Sequence, residues 1–148
     1  MKAFKYTFQK IVDLKESEKT QAEWMLSEAV AALNELHEQL KDLKEQQAHW
    51  EFKLEQSVTV PTTMQEVMTI QHYIDFYKQA INDKTIEINH AHQKVDVRRA
   101  ELASKMKEEK VWHKAKENEY EKFKHNAQLR EQNELDEMAS IRFIAPTP

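Results

Sequence analysis

Residues 57–63 read Ser-Val-Thr-Val-Pro-Thr-Thr and separate two long runs of helix-forming sequence. β-Branched side chains are restricted in helices, and proline opposes helix continuation because it lacks an amide hydrogen and its ring clashes with the preceding turn. Thr63 and Glu66 have the spacing of a capping box, in which each side chain accepts a hydrogen bond from an unpaired amide at a helix start. The stretch therefore predicts a turn, with a second helix beginning near Met64.

On both sides of this turn, apolar residues recur at alternating steps of three and four, which is the spacing of a heptad coiled coil. The predicted seam before the turn consists of Leu26, Ala29, Leu33, Leu36, Leu40, Leu43, Gln47, Trp50 and Leu54. The predicted seam after it consists of Val67, Ile70, Ile74, Tyr77, Ile81, Lys84, Ile88, Ala91, Val95, Arg98 and Leu102. A short connection makes such helices antiparallel neighbours, so residue i should lie near roughly residue 120 minus i. Leu36 should then meet Lys84, and Leu43 should lie near Tyr77.

The predicted fold is therefore all-α, a long antiparallel two-helix coiled-coil hairpin with an overhanging C-terminal helix. One coiled-coil domain is expected over residues 1–148, with helix 1 at about 5–56, a loop at about 57–63, helix 2 at about 64–142 and a tail at 143–148. Pairing about the loop would use up helix 1 near residue 116 and leave residues 117–141 unpaired. Before Ala22 and beyond Leu102 the seam positions become polar, so the terminal part of the hairpin should be the weaker part.

The composition excludes several classes of function. Glycine is absent and proline occurs three times, so turn-rich folds and phosphate-binding loops lack the residues that they need. The net charge of −4 provides no field that would attract nucleic acid. No stretch approaches membrane-spanning length, and a two-helix rod has no concave pocket for catalysis. The sequence predicts a coiled coil that binds other proteins, is not an enzyme, binds no nucleic acid and has no transmembrane segment.

The seven histidines do not predict a metal site. His90 and His92 are the closest pair, but residues two apart on a helix point in different directions. No two histidines have the i, i+4 spacing of a helical zinc site. The many neighbouring glutamates and lysines have the spacing of ordinary helix-surface ion pairs. No catalytic, cofactor-binding or metal-ligating residue is therefore predicted, and no cofactor.

Apolar residues near both ends of the chain are the candidate partner-binding residues. They stand out because the seam around them is polar, and apolar side chains gain little in an isolated rod. The candidates are Phe4, Phe8, Ile11, Leu135, Met138, Ile141 and Phe143.

The same two ends resemble the flagellar FliJ family. The beginning combines the aromatic residues Phe4, Tyr6 and Phe8 with a short apolar step and a run of lysine and glutamate that reaches Lys19. The stretch 135–143, Leu-Asp-Glu-Met-Ala-Ser-Ile-Arg-Phe, resembles the acidic and then apolar tail of that family. The length and the short break between two long helices also fit.

The resemblance implies a rod similar to the central stalk of rotary ATPases. Such a rod inserts into the ring of the flagellar type III export ATPase FliI, promotes its assembly and links it to the export gate protein FlhA. The resemblance also implies handling of export chaperones, and a cytoplasmic protein associated peripherally with the cell membrane at the flagellar base. Two alternatives stay open: the stalk of a virulence-type III secretion ATPase, and a structural scaffold that self-associates through residues 135–144.

Overall fold

The computed structural model describes the backbone of residues 3–144 and the side chains of residues 3–142. The chain forms two long helices, α1 over Gln9–Gln56 and α2 over Met64–Ile144. No strand occurs among the described residues, so the predicted all-α class is confirmed. Within the same residues, neither helix contains a segment apolar enough to cross a membrane.

The turn between the helices lies where the sequence predicts it. The amides of Ser57 and Val60 still donate helix-type hydrogen bonds of 3.1 Å to the carbonyls of Lys53 and Gln56. Pro61 follows directly and has no amide hydrogen with which to continue this pattern. On the other side of the turn, the Glu66 amide donates to Thr63 Oγ1 at 3.2 Å. This bond satisfies one of the unpaired amides at the start of α2.

Helix α1 begins at Gln9, later than the predicted start at about residue 5. The Gln9 amide donates to the carbonyl of Tyr6 at 3.1 Å, and the Ile11 amide donates to the carbonyl of Phe8 at 3.0 Å. These bonds span three and not four residues, which is the tighter pattern of a helix end. The residues before Gln9 are therefore free to place their aromatic side chains independently of the helical periodicity.

The chain divides into two compact units, and each unit combines a part of α1 with a part of α2. The loop unit is Gln21–Ala103, and the terminal unit joins Met1–Thr20 to Ser104–Pro148. The single coiled-coil domain expected over residues 1–148 stays a prediction.

The core of the loop unit consists of seam residues from both helices. Ala29 and Leu33 of α1 and Ile88 and Val95 of α2 are buried together. The partly buried residues packed against them are Leu26, Val30, Leu36, Leu40 and Ala91. All four buried residues are predicted seam positions. Burial of one stripe per helix, with the remaining faces exposed, is what the heptad spacing predicts.

The pairing of the helices differs from the predicted register by about one turn. Lys84 Nζ lies 2.8 Å from Oε1 of Gln39, three residues beyond Leu36, the predicted neighbour of Lys84. The rings of Trp50 and Tyr73 stack with their centroids 4.4 Å apart. Tyr73 lies three residues beyond Ile70, which the predicted register places opposite Trp50. The physical reason lies in the turn: helix-type hydrogen bonds continue as far as Val60, so the chain reverses closer to Thr62 than to residue 60. The contact of Leu43 with Tyr77 stays a prediction.

Candidate functional site

The first candidate residues belong to an aromatic cluster inside the terminal unit. The ring of Phe4 lies 5.2 Å from that of Tyr120 and 5.4 Å from that of Phe123, measured between centroids. The ring of Phe8 lies 6.0 Å from that of Trp112 in an edge-to-face arrangement. Tilted and edge-to-face pairs are favourable because the electropositive ring edge meets the electronegative ring face. The aromatic residues that the sequence assigns to a partner therefore already pack within their own chain.

Part of the aromatic cluster stays accessible. Phe4 is half-buried, whereas about half of the Phe8 side chain is exposed. Both line an open groove of about 430 Å³ together with Trp112. Phe8 can therefore contact a partner, while Phe4 mainly holds the first residues against α2.

The contacts of Phe4 correct the predicted limit of pairing. Tyr120 and Phe123 lie beyond residue 116, where helix 1 was expected to be used up. The residues before Gln9 are not helical, and extended chain covers about 3.3 Å per residue compared with about 1.5 Å in a helix. A few residues therefore reach further along α2 than a helix could. An overhang of the remaining C-terminal part of α2 stays a prediction.

Val12 is the most deeply buried side chain described, with 1% exposure, and the sequence analysis missed it. The signal was present in the heptad. Val12 occupies a seam position when the heptad is extended toward the N-terminus. The alternating steps of four and three residues run from Leu26 to Ala22, Lys19, Lys15 and then Val12. Its neighbour Ile11, which the sequence assigns to a partner, is half-buried.

Ion pairs between the helices occupy the polar seam of the terminal unit. The pairs Lys15–Glu108, Lys19–Glu109 and Lys105–Glu18 have nitrogen–oxygen distances of 2.9 to 3.3 Å. His113 Nε2 also lies 2.8 Å from Oε1 of Glu16, and this contact is ionic only when the imidazole is protonated. Each pair is at least partly exposed, so each contributes little to the stability of the fold. These pairs favour one register of the helices, because a shift would bring like charges together.

The pKa values of Lys15 and Glu108 are shifted in the directions that their pairing requires. The hydrogen bond from the Lys15 ammonium holds the pKa of the Glu108 carboxyl below its ordinary value. The same hydrogen bond raises the pKa of Lys15 above its ordinary value. Glu108 therefore stabilises the folded state fully above the ordinary glutamate pKa, and this contribution is lost as the pH falls through the lower folded value. The contribution of Lys15 is present below the ordinary lysine pKa and is lost as the pH rises through its higher folded value.

We expect Glu108→Gln to reduce the loss of stability in acid. As the pH falls from the ordinary glutamate pKa of 4.5 through the lower folded value, wild type loses the Lys15–Glu108 interaction, whereas the variant has no carboxylate there to protonate. The measurement is thermal melting by circular dichroism between pH 7 and pH 3. The matched control is Glu117→Gln, because Glu117 is more exposed and pairs only along the helix surface with Lys114. An acid transition of the same steepness in Glu108→Gln and the control would contradict the expectation.

The C-terminal candidates form a separate and exposed surface. Leu135, Met138 and Ile141 are 65%, 65% and 68% exposed, and their steps of three place them on one side of α2. The side chain of Phe143 lies outside the described residues. The rings of Phe4 and Phe8 contact residues between 112 and 123, whereas Leu135 lies twelve residues beyond Phe123, about 18 Å along the helix. The predicted residues therefore form two surfaces: the aromatic cluster, and a C-terminal surface of Leu135, Met138 and Ile141.

Further exposed apolar residues lie at and around the turn, and they were not among the predicted binding residues. They are Phe52, Val58, Val60, Met64, Met68 and Phe76. Phe52 follows the seam residue Trp50 by two positions, so it points away from the seam, and large apolar residues at such positions were the available signal. We call these six residues the turn surface.

Among residues 3–142, no three side chains of histidine, aspartate or glutamate converge as metal ligands would. The exposed features of this part of the chain are apolar surfaces and ion pairs, which suit binding to other proteins.

Comparison with known proteins adds a family and a fold. A family model with the description "Flagellar FliJ protein" matches residues 4–147. No curated protein matches the chain. A similar solved structure is that of CT670 from Chlamydia trachomatis, a proposed YscO homologue. The two chains are 17% identical, the TM-score is 0.63, and the similarity covers 95% of this chain and 96% of the other. Identity at this level shows a common fold alone.

Proposed function

Because this chain belongs to the FliJ family of flagellar proteins, we propose that it is the stalk of a type III export ATPase. In this role the chain binds the ring of the ATPase FliI, promotes ring assembly and links the ring to the export gate protein FlhA. It also handles export chaperones, and it works at the cytoplasmic face of the membrane at the flagellar base. The observation that carries the proposal is the family match over nearly the whole chain.

The exposed surfaces support a protein that links several partners. The C-terminal surface and the turn surface belong to different compact units, so the chain offers more than one place for binding. Exposed apolar groups of this kind are typical of interaction sites. The C-terminal surface, with Phe8 of the aromatic cluster, is the proposed contact for the ATPase or the gate. Phe4 and Ile11 are proposed to hold the N-terminal residues in place for that contact.

The stalk of a virulence-type secretion ATPase is the second candidate. The fold similarity to a protein described as a YscO homologue favours it. The family match favours the flagellar system.

Mixing the purified chain with purified FliI tests the proposal. We expect the rate of ATP hydrolysis and the fraction of assembled rings to rise with the concentration of the chain, measured by phosphate release and light scattering. The control is an unrelated coiled coil of similar length and charge. A chain that self-associates and leaves both quantities unchanged would instead support the scaffold alternative.

A further inference from the structure

Two histidines from different helices lie side by side in the loop unit. His37 belongs to α1 and His92 to α2, and their ring centroids are 5.7 Å apart with the ring planes at 73°. Both side chains are exposed, so solutes can reach them. Spacing within a single helix could not reveal this pair, because it depends on how the two helices align.

We propose that His37 and His92 together bind one divalent transition-metal ion, Cu²⁺ most tightly, and Ni²⁺ and Zn²⁺ more weakly. Neutral imidazole nitrogens are good ligands for all three ions, and the usual order of affinity places Cu²⁺ first. Such nitrogens bind a metal at about 2.0–2.1 Å, so two imidazole rings on one ion have centroids about 5–6 Å apart. The observed spacing lies in this range.

The backbone beneath the pair is held in place by the core. Leu36 precedes His37 and Ala91 precedes His92, and both of these neighbours pack against the buried residues of the loop unit. Ligands that project from packed helices lose little freedom when they bind, because the backbone is already ordered. Binding of an ion therefore requires movement of the two side chains and not of the helices.

Two protein ligands define what kind of site this is. Structural and catalytic zinc sites use three or four protein ligands, and no group of three converges among the described side chains. Water molecules complete the coordination of the ion. The ion exchanges with solvent and performs no reaction. Its effect is a link between α1 and α2, which stabilises the loop unit because the bound ion requires the folded pairing.

Thermal melting with and without CuCl₂ at pH 7.5 tests the site, using the full chain in metal-free buffer. At a Cu²⁺ concentration tenfold above the dissociation constant, we expect the melting temperature to rise by about 3–6 °C. His37→Ala and His92→Ala should each abolish the rise. His90→Ala is the matched control and should retain it, because His90 is also exposed but its ring points away from His92. Calorimetric titration should give one ion per chain.

Electron paramagnetic resonance of the bound Cu²⁺ provides a readout that does not depend on stability. Wild type should show two coordinating imidazoles, and each single variant fewer than two. A rise in melting temperature that persists in His37→Ala, or a wild-type spectrum with one imidazole, would overturn the proposal. Loss of the rise in His90→Ala would also overturn it.

Discussion

Ile88→Ala is expected to lower the free energy of unfolding by about 2–4 kcal/mol, whereas Ile86→Ala should change it by less than about 0.5 kcal/mol. Ile88 is 6% exposed and packs in the core of the loop unit, so truncation removes buried surface and leaves a cavity. Ile86 is 50% exposed on the same helix. The two variants delete the same atoms two residues apart, so burial is the main difference between them.

Urea unfolding followed by circular dichroism measures both effects. The slope of the free energy of unfolding against urea concentration should be the same in both variants and in wild type. An altered slope would indicate a change in the unfolded state. Equal losses in the two variants would show that the heptad seam does not carry the stability of the loop unit.

Replacing Leu135 and Ile141 together by alanine is expected to weaken binding to the proposed partners, the export ATPase or the gate protein, at least roughly thirtyfold. Truncated interface anchors commonly cost about 2 kcal/mol or more, which corresponds to this change in affinity. Both side chains are mostly exposed, so the melting temperature should stay close to that of wild type. Calorimetric titration against each purified partner measures the affinity, and circular dichroism measures the melting.

Phe4→Ala provides the comparison for the melting temperature of this double variant. The ring of Phe4 packs on Tyr120 and Phe123, so its loss should destabilise the terminal unit. Wild-type affinity for both partners in the double variant would remove the C-terminal surface from the interface. A large drop in the melting temperature of the double variant would show that these residues pack within the protein.

The turn and the seam of the loop unit were predictable because both depend on local sequence. Pro61 has no amide hydrogen with which to continue a helix, and the apolar steps identify residues such as Leu33 and Ile88 as buried. The register was not predictable to better than one turn. The register depends on how far helix-type hydrogen bonding continues beyond Gln56. The sequence of residues 57–60 is compatible with several end points of this hydrogen bonding.

The candidate site was predictable only in part. The exposure of Leu135 and Ile141 follows from apolar residues in a polar stretch of helix. The packing of Phe4 does not follow, because this residue precedes α1 and lies outside any periodic pattern. Val12 was missed because lysines occupy the seam positions between it and Ala22. The pairing of His37 with His92 requires the register, which only the structure provides.

The make-up of the terminal unit sets an order of events during synthesis. This unit joins Met1–Thr20 to Ser104–Pro148, whereas the loop unit is one continuous segment. A ribosome therefore completes Gln21–Ala103 before it makes any α2 partner for Val12. Folding of Gln21–Ala103 into a hairpin also brings the two parts of the terminal unit close together. The entropic cost of joining these two parts is therefore lower than in an unfolded chain. The nascent chain should thus fold from its middle outward, with its first twenty residues the last part of α1 to find partners.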